Sequence, residues 1–98
     1  MNDEELFMII GFIKCSNNRL MTMKAIEDDI MMPSEIGREM DFRTTQASSA
    51  LIELKKKGLV VCLNEKSYKG RLYTTTKRGK EVMKRYNELF ESDNVERL

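Results

Sequence analysis

The sequence predicts a mainly helical domain in which four helices precede a β-hairpin and a fifth helix closes the chain. Three observations predict it. Apolar residues recur at helical spacing through most of the chain, and one β-prone run, Leu59-Val60-Val61-Cys62-Leu63, interrupts them. A polar stretch separates that run from a second, Arg71-Leu72-Tyr73-Thr74-Thr75, as in a hairpin. Pro33, Gly58 and Thr76 stand where helices would start or stop. With 98 residues, 41% hydrophobic and 34% charged, the chain suits a single globular domain, residues 1–98, with one modest core.

Each element has a local reason. Asp3 is expected to cap a first helix running to about Cys15, with Leu6, Ile9, Ile10 and Ile13 on one face. Ser16-Asn17-Asn18 is a turn and cap cluster that opens a second helix, Arg19 to about Asp28, with Leu20, Met23 and Ala25 or Ile26 facing inward. The only proline, Pro33, suits the first position of a helix, where its missing N–H is not needed. That third helix should run to about Met40, with Gly37 allowing close approach of another helix. Asp41-Phe42-Arg43 is a short connection to a fourth helix, Thr44 or Thr45 to Lys57, with Gly58 beyond its end. Ala47, Ala50, Leu51 and Leu54 form its apolar stripe. Residues 64–70 form the hairpin loop. Thr76 caps the last helix, Lys77 to about Glu91, whose stripe is Val82, Met83, Tyr86, Leu89 and Phe90.

Composition narrows the function. Histidine is absent, and the two cysteines, Cys15 and Cys62, have no metal-ligand or CxxC spacing. Ser-His-Asp and Cys-His catalysis is therefore excluded, and no phosphate loop or nucleophile–base pair is visible. An enzyme, a metal site and a cofactor are not expected. Both cysteines read as small buried apolar residues, and most of the eight methionines as core fillers. The run Leu6 to Ile13 is too short to span a bilayer, and the start of the chain is acidic rather than basic, so a cytoplasmic location is expected.

Net charge is only +1, but it is segregated. Residues 1–42 carry four basic residues against nine acids, a net of −5. Residues 43–86 carry twelve basic residues against Glu53, Glu65 and Glu81, a net of +9, and the acidic tail from Asn87 carries −3. Positive potential gathered in one segment is the footprint of a face that meets phosphate.

Two short helices joined by a three-residue turn and followed by a basic hairpin make a winged helix-turn-helix arrangement. There the first helix braces the second, which lies in the major groove with its N-terminal residues at base edges. Thr45, Ser48, Ser49, Ile52 and Lys56 would lie on or near the face opposite the apolar stripe, with Thr44 and Gln46 at the entrance. Gln46 suits a bidentate contact with adenine, and Ile52 suits a thymine methyl. Lys66, Lys69 and Arg71 surround the hairpin tip, where cations neutralise phosphates or enter a minor groove, and Tyr68 adds an aromatic ring.

The stretch MPSEIGREMDFRTTQASSALIELKKKGLVVCL, followed by RLYTTTKRGKEVM, resembles winged helix-turn-helix regulators of the MarR and ArsR type over about Arg19 to Met83. The likeness lies in four features: the helix opening at Pro33, the segment Leu51 to Val60 leading into the hairpin, the basic wing, and the Thr76 to Gly79 step. It implies a transcriptional regulator that reads double-stranded DNA through Thr44, Thr45, Gln46, Ser48, Ser49 and Lys55, with Lys69 and Arg71 on the wing. Ser48 and Ser49 stand where that family often has arginine, and the family's cysteine and histidine metal sites are absent. The surplus apolar residues of the terminal helices, about 3–15 and 77–91, predict a homodimer packed through them. No pattern points to a small-molecule effector. The rival reading is a winged helix used for protein–protein contact inside a larger assembly.

Overall fold

A computed structural model of the chain describes residues 1–91. Within them the elements follow one another as α1 (Asp3–Lys14), α2 (Asn17–Ile26), α3 (Pro33–Met40), α4 (Thr44–Lys56), β1 (Val60–Cys62), β2 (Tyr73–Thr75) and α5 (Lys77–Phe90). The fold is thus mainly helical with one antiparallel hairpin, in the order expected. Asp93, Glu96 and Arg97 of the acidic tail lie outside the described residues.

Helix starts follow the capping chemistry. The Ser16 hydroxyl accepts from the Arg19 N–H (3.3 Å), and the Thr76 hydroxyl accepts from the Gly79 N–H (3.0 Å). At α1 the cap is Asn2, whose Oδ1 accepts from the Glu5 N–H (2.8 Å), and not Asp3 as expected. Asp3 instead joins Glu4 and Glu5 in the first turn, where carboxylates favour the positive end of the helix dipole. α2 stops at Ile26, two residues early, because Glu27 turns to a positive φ of 47°.

The core is shared by α1, α2, α4, the hairpin and α5. Leu6, Ile9, Ile10 and Ile13 meet Met23, Ala25 and Ile26, the stripe Ala47, Leu51 and Leu54, and Val82 and Tyr86. α3 contributes only Ile36 as a large buried side chain. Gly37 admits the turn and the start of α4: a Cβ there would lie 2.6 Å from the Phe42 carbonyl oxygen and 3.4 Å from the Thr44 nitrogen. Asp41, at φ 59°, takes the left-handed conformation that ends α3, and its short polar side chain tolerates it.

β1 and β2 pair in register Val60↔Thr75, Val61↔Thr74 and Cys62↔Tyr73, with Val60, Cys62, Tyr73 and Thr75 facing the core. Met31 adds a one-residue bridge on the other side of β2: its N–H donates to the Tyr73 carbonyl and the Tyr73 N–H to its own, both at 2.9 Å. The sequence carries no sign of this connection between α2 and α3. It ties the base of α3 to the hairpin.

The junction of α4, β1 and α5 is closed by backbone groups. The Leu59 N–H donates to the Leu54 carbonyl (3.0 Å) and the Gly58 N–H to the Lys55 carbonyl (2.9 Å), with Gly58 at φ 74°. This is a Schellman end, and only a residue without a Cβ adopts it freely. Thr76 then donates its hydroxyl to the Gly58 carbonyl (2.6 Å) and its N–H to the Leu59 carbonyl (3.0 Å). Arg78 donates Nε to the Lys57 carbonyl and reaches Glu5 of α1, both at 3.1 Å. The Thr76 to Gly79 step is therefore a clasp on the end of α4.

Two packing expectations are corrected. Cys62 is buried, but Cys15 is exposed, because it follows the last turn of α1. Met23 and Met31 are buried as expected, whereas Met8 is 71% exposed on the outer face of α1. Among the described residues no helix is long and apolar enough to cross a membrane.

Candidate nucleic-acid interface

α4 buries Ala47, Ala50, Leu51 and Leu54 completely, so its orientation about its own axis is fixed by the packing of those side chains rather than by surface residues. The opposite stripe is Thr45, Ser49, Ile52 and Lys56, at spacings of four, three and four, and all are exposed. Three of these side chains are small or branched and one is a cation. The stripe therefore offers hydroxyls, an apolar methyl surface and a terminal charge to anything laid along it.

Beside that stripe runs a cleft of about 340 Å³ between the N-terminal ends of α3 and α4 and the hairpin tip. Ser34 of α3 and Thr44 and Ser48 of α4 form one wall; Tyr68, Lys69 and Arg71 form the other. The first N–H groups of a helix have no partner within it, and its dipole places partial positive charge there. Two helix starts, three hydroxyls and two cations thus converge on one groove, a donor-rich setting for an anionic strand. Glu35 in the first turn of α3 keeps its negative charge there, with its Oε1 accepting from the Met32 N–H at 2.8 Å.

The hairpin tip is held by its own polar groups. Asn64 bridges its two sides: Oδ1 accepts from the Leu72 N–H (2.7 Å) and Nδ2 donates to the Gly70 carbonyl (3.1 Å). The Ser67 N–H donates to the Asn64 carbonyl (2.9 Å), and Arg71 Nε donates to the Ser67 carbonyl (3.1 Å). Arg71 keeps its other donors for the cleft. Lys69 has no ion-pair partner among the described residues.

The ten residues expected to contact a nucleic acid are not all gathered in one place. Thr44, Ser48, Lys69 and Arg71 line the cleft, while Thr45, Ser49 and Lys56 lie on the exposed stripe next to it. Lys66 is exposed in the hairpin loop but does not line the cleft. Two residues have second engagements. Gln46 is half-buried and its Oε1 accepts from the Arg43 N–H (2.8 Å), closing the start of α4. Lys55 pairs with Glu65 of the hairpin loop. Pro33, Ser34 and Gly70 also line the cleft, and sequence reasoning misses them. Ser34 reads in the sequence as helix-cap chemistry, and only the fold brings it opposite the hairpin.

A second, larger cleft of about 640 Å³ lies between α2 and α5, with Met23 and Met83 among its walls and the pairs Lys24–Glu91 and Lys80–Asp28 across it. No family model matches the chain, and no curated protein matches it.

Proposed function

We propose that the chain is a winged helix-turn-helix protein that binds double-stranded DNA as a transcriptional regulator. In this reading α3 braces α4, α4 enters the major groove, and the hairpin is the wing. The observation that carries it is the cleft whose facing walls hold Thr44 and Ser48 on one side and Lys69 and Arg71 on the other. A phosphodiester strand seated there would meet hydroxyls and helix starts on one side and guanidinium and ammonium groups on the other, while the stripe Thr45, Ser49 and Ile52 faced base edges. Of the twelve basic residues in 43–86, Arg43, Lys55, Lys56, Lys57, Lys66, Lys69 and Arg71 belong to α4, its flanks and the hairpin and support the same face, whereas the other five lie on α5.

The reading extends to a homodimer joined through α1 and α5. Phe7, Met8, Leu89 and Phe90 remain exposed after the core is closed, an apolar surplus that a two-fold contact would bury. Two α4 helices would then reach successive major grooves about 34 Å apart.

Binding isotherms on random and genomic duplexes at several salt concentrations test the proposal. Affinity that falls steeply with salt, with preferred sequences above the background, supports it. No affinity for any duplex at low salt would favour the rival, a protein-binding winged helix. The outward-facing Val61 and Leu63 on the hairpin would suit that rival.

A further inference from the structure

Tyr68 is 95% exposed, the most solvent-facing of the large hydrophobic side chains among the described residues, yet it stands on a well-braced loop. The bonds of Asn64, Ser67 and Arg71 fix the backbone on both sides of it. Lys66 and Lys69 flank it in sequence, and its ring edges the cleft opposite Ser34, Thr44 and Ser48. A solvated aromatic ring on a flexible tip would lose its freedom on binding anything. Here the loop has already ordered the backbone, so only the ring's own two torsions remain to be fixed when it is buried.

The position of the ring also has a direction. A phosphodiester strand separates the major groove from the minor groove of a duplex. If α4 occupies the major groove and the strand runs in the cleft, the far wall of the cleft faces the adjacent minor groove. Tyr68 is on that far wall. We propose that Tyr68 is a wedge that enters a base step of that minor groove, so that the protein prefers duplexes with a deformable pyrimidine–purine step beside the site read by α4. The inference rests on the DNA-binding reading above. Apolar and aromatic wedges of this kind unstack one step, open its minor groove and bend the duplex toward the major groove of that step, away from the inserted ring. TA and CA steps open most easily, so the preference arises without any hydrogen bond to a base. Lys66 and Lys69 would hold the two strands on either side of the opened step.

The test uses the full chain and a duplex selected by it from random sequence, with 2-aminopurine placed in turn at each step flanking the selected core. The wild type should raise the fluorescence at one step, and Tyr68→Phe should do the same. Tyr68→Ala should abolish the rise while still binding, with affinity lower by about 5- to 10-fold, the low end of a base–aromatic stack because unstacking takes part of it back. Selection repeated with Tyr68→Ala should lose the flanking TA or CA step and keep the core. Binding without a fluorescence rise at any step, or an undiminished rise with Tyr68→Ala, overturns the wedge and leaves DNA binding intact. A rise lost equally in Tyr68→Phe overturns it in favour of a hydroxyl contact. Failure of the wild type to bind any duplex removes the reading beneath it.

Discussion

Gly79→Ala should unfold this protein more readily than its conservative chemistry suggests. A Cβ at position 79 would sit 2.1 Å from the Leu59 carbonyl oxygen, 3.1 Å from its carbonyl carbon and 3.2 Å from Thr75 Cγ2. The obstacle is backbone and fully buried, so no side chain can swing aside. α5 must instead withdraw from Leu59 by about an ångström or more. Three bonds bridge that gap: Thr76 N–H to the Leu59 carbonyl, the Thr76 hydroxyl to the Gly58 carbonyl, and Arg78 Nε to the Lys57 carbonyl. At about 0.5–1.5 kcal/mol each, losing or stretching them costs about 2–4 kcal/mol. Alanine returns up to about 1 kcal/mol through its better helix propensity. The net loss is about 1–4 kcal/mol, a large share of the roughly 5–15 kcal/mol that holds a domain together. Urea unfolding should show a lower midpoint at an unchanged slope. Gly11→Ala supplies the counterpart, since a Cβ there meets nothing within 4 Å; it should gain about 0.5–1 kcal/mol. A Gly79→Ala protein as stable as the wild type would refute the close approach of α5 to Leu59, and the clasp with it.

The other expected outcomes concern binding and assembly. Lys69→Ala and Arg71→Ala should weaken binding to all duplexes alike and flatten the dependence of log affinity on log salt by up to about one unit for each phosphate left without its cation, read from titrations at graded salt. Thr45→Ala should instead narrow the gap between preferred and random duplexes by about 1–3 kcal/mol, measured by competition. Gln46→Ala should do the same and also lower stability by about 1 kcal/mol, since it removes the acceptor for the Arg43 N–H. Sedimentation equilibrium at micromolar concentration should give a dimer for the wild type and a monomer for the double variant Phe7→Ser, Phe90→Ser; a wild type that stays monomeric on DNA refutes both the dimer and a palindromic site.

Much of the helical layout is legible in the sequence because the signals are local. Pro33, Gly58 and Thr76 act within one turn of themselves; α3 and α5 start where Pro33 and Thr76 place them, and α4 ends at Lys56, one residue before the expected Lys57. The stripe Ala47, Ala50, Leu51 and Leu54 is a periodicity that any solvent-excluding partner would select. What escapes is produced by distance in sequence. The bridge from Met31 to Tyr73 involves one residue, too short to carry an alternating pattern. The pairing of Lys55 with Glu65 depends on how the hairpin folds back over α4. Choosing Asn2 over Asp3 as the first cap turns on one register step, which neighbouring acceptors leave ambiguous. The cleft shows both limits: Thr44 and Ser48 follow from helix phase, but Ser34 faces Lys69 and Arg71 only because the turn at Asp41 folds α3 beside α4.

The clasp at Thr76 has a consequence for how this hairpin can change over time. Thr76 and Gly58, eighteen positions apart, are joined directly, so the neck beneath the strands is shut whatever the tip contains. An insertion or exchange between Asn64 and Leu72 adds loop without moving the ends of α4 or α5. The entropic cost of a longer closed loop rises only logarithmically, by about 0.6 kcal/mol for each doubling. The tip is therefore a replaceable cassette, and its length and side chains can be varied while the helical frame keeps its shape.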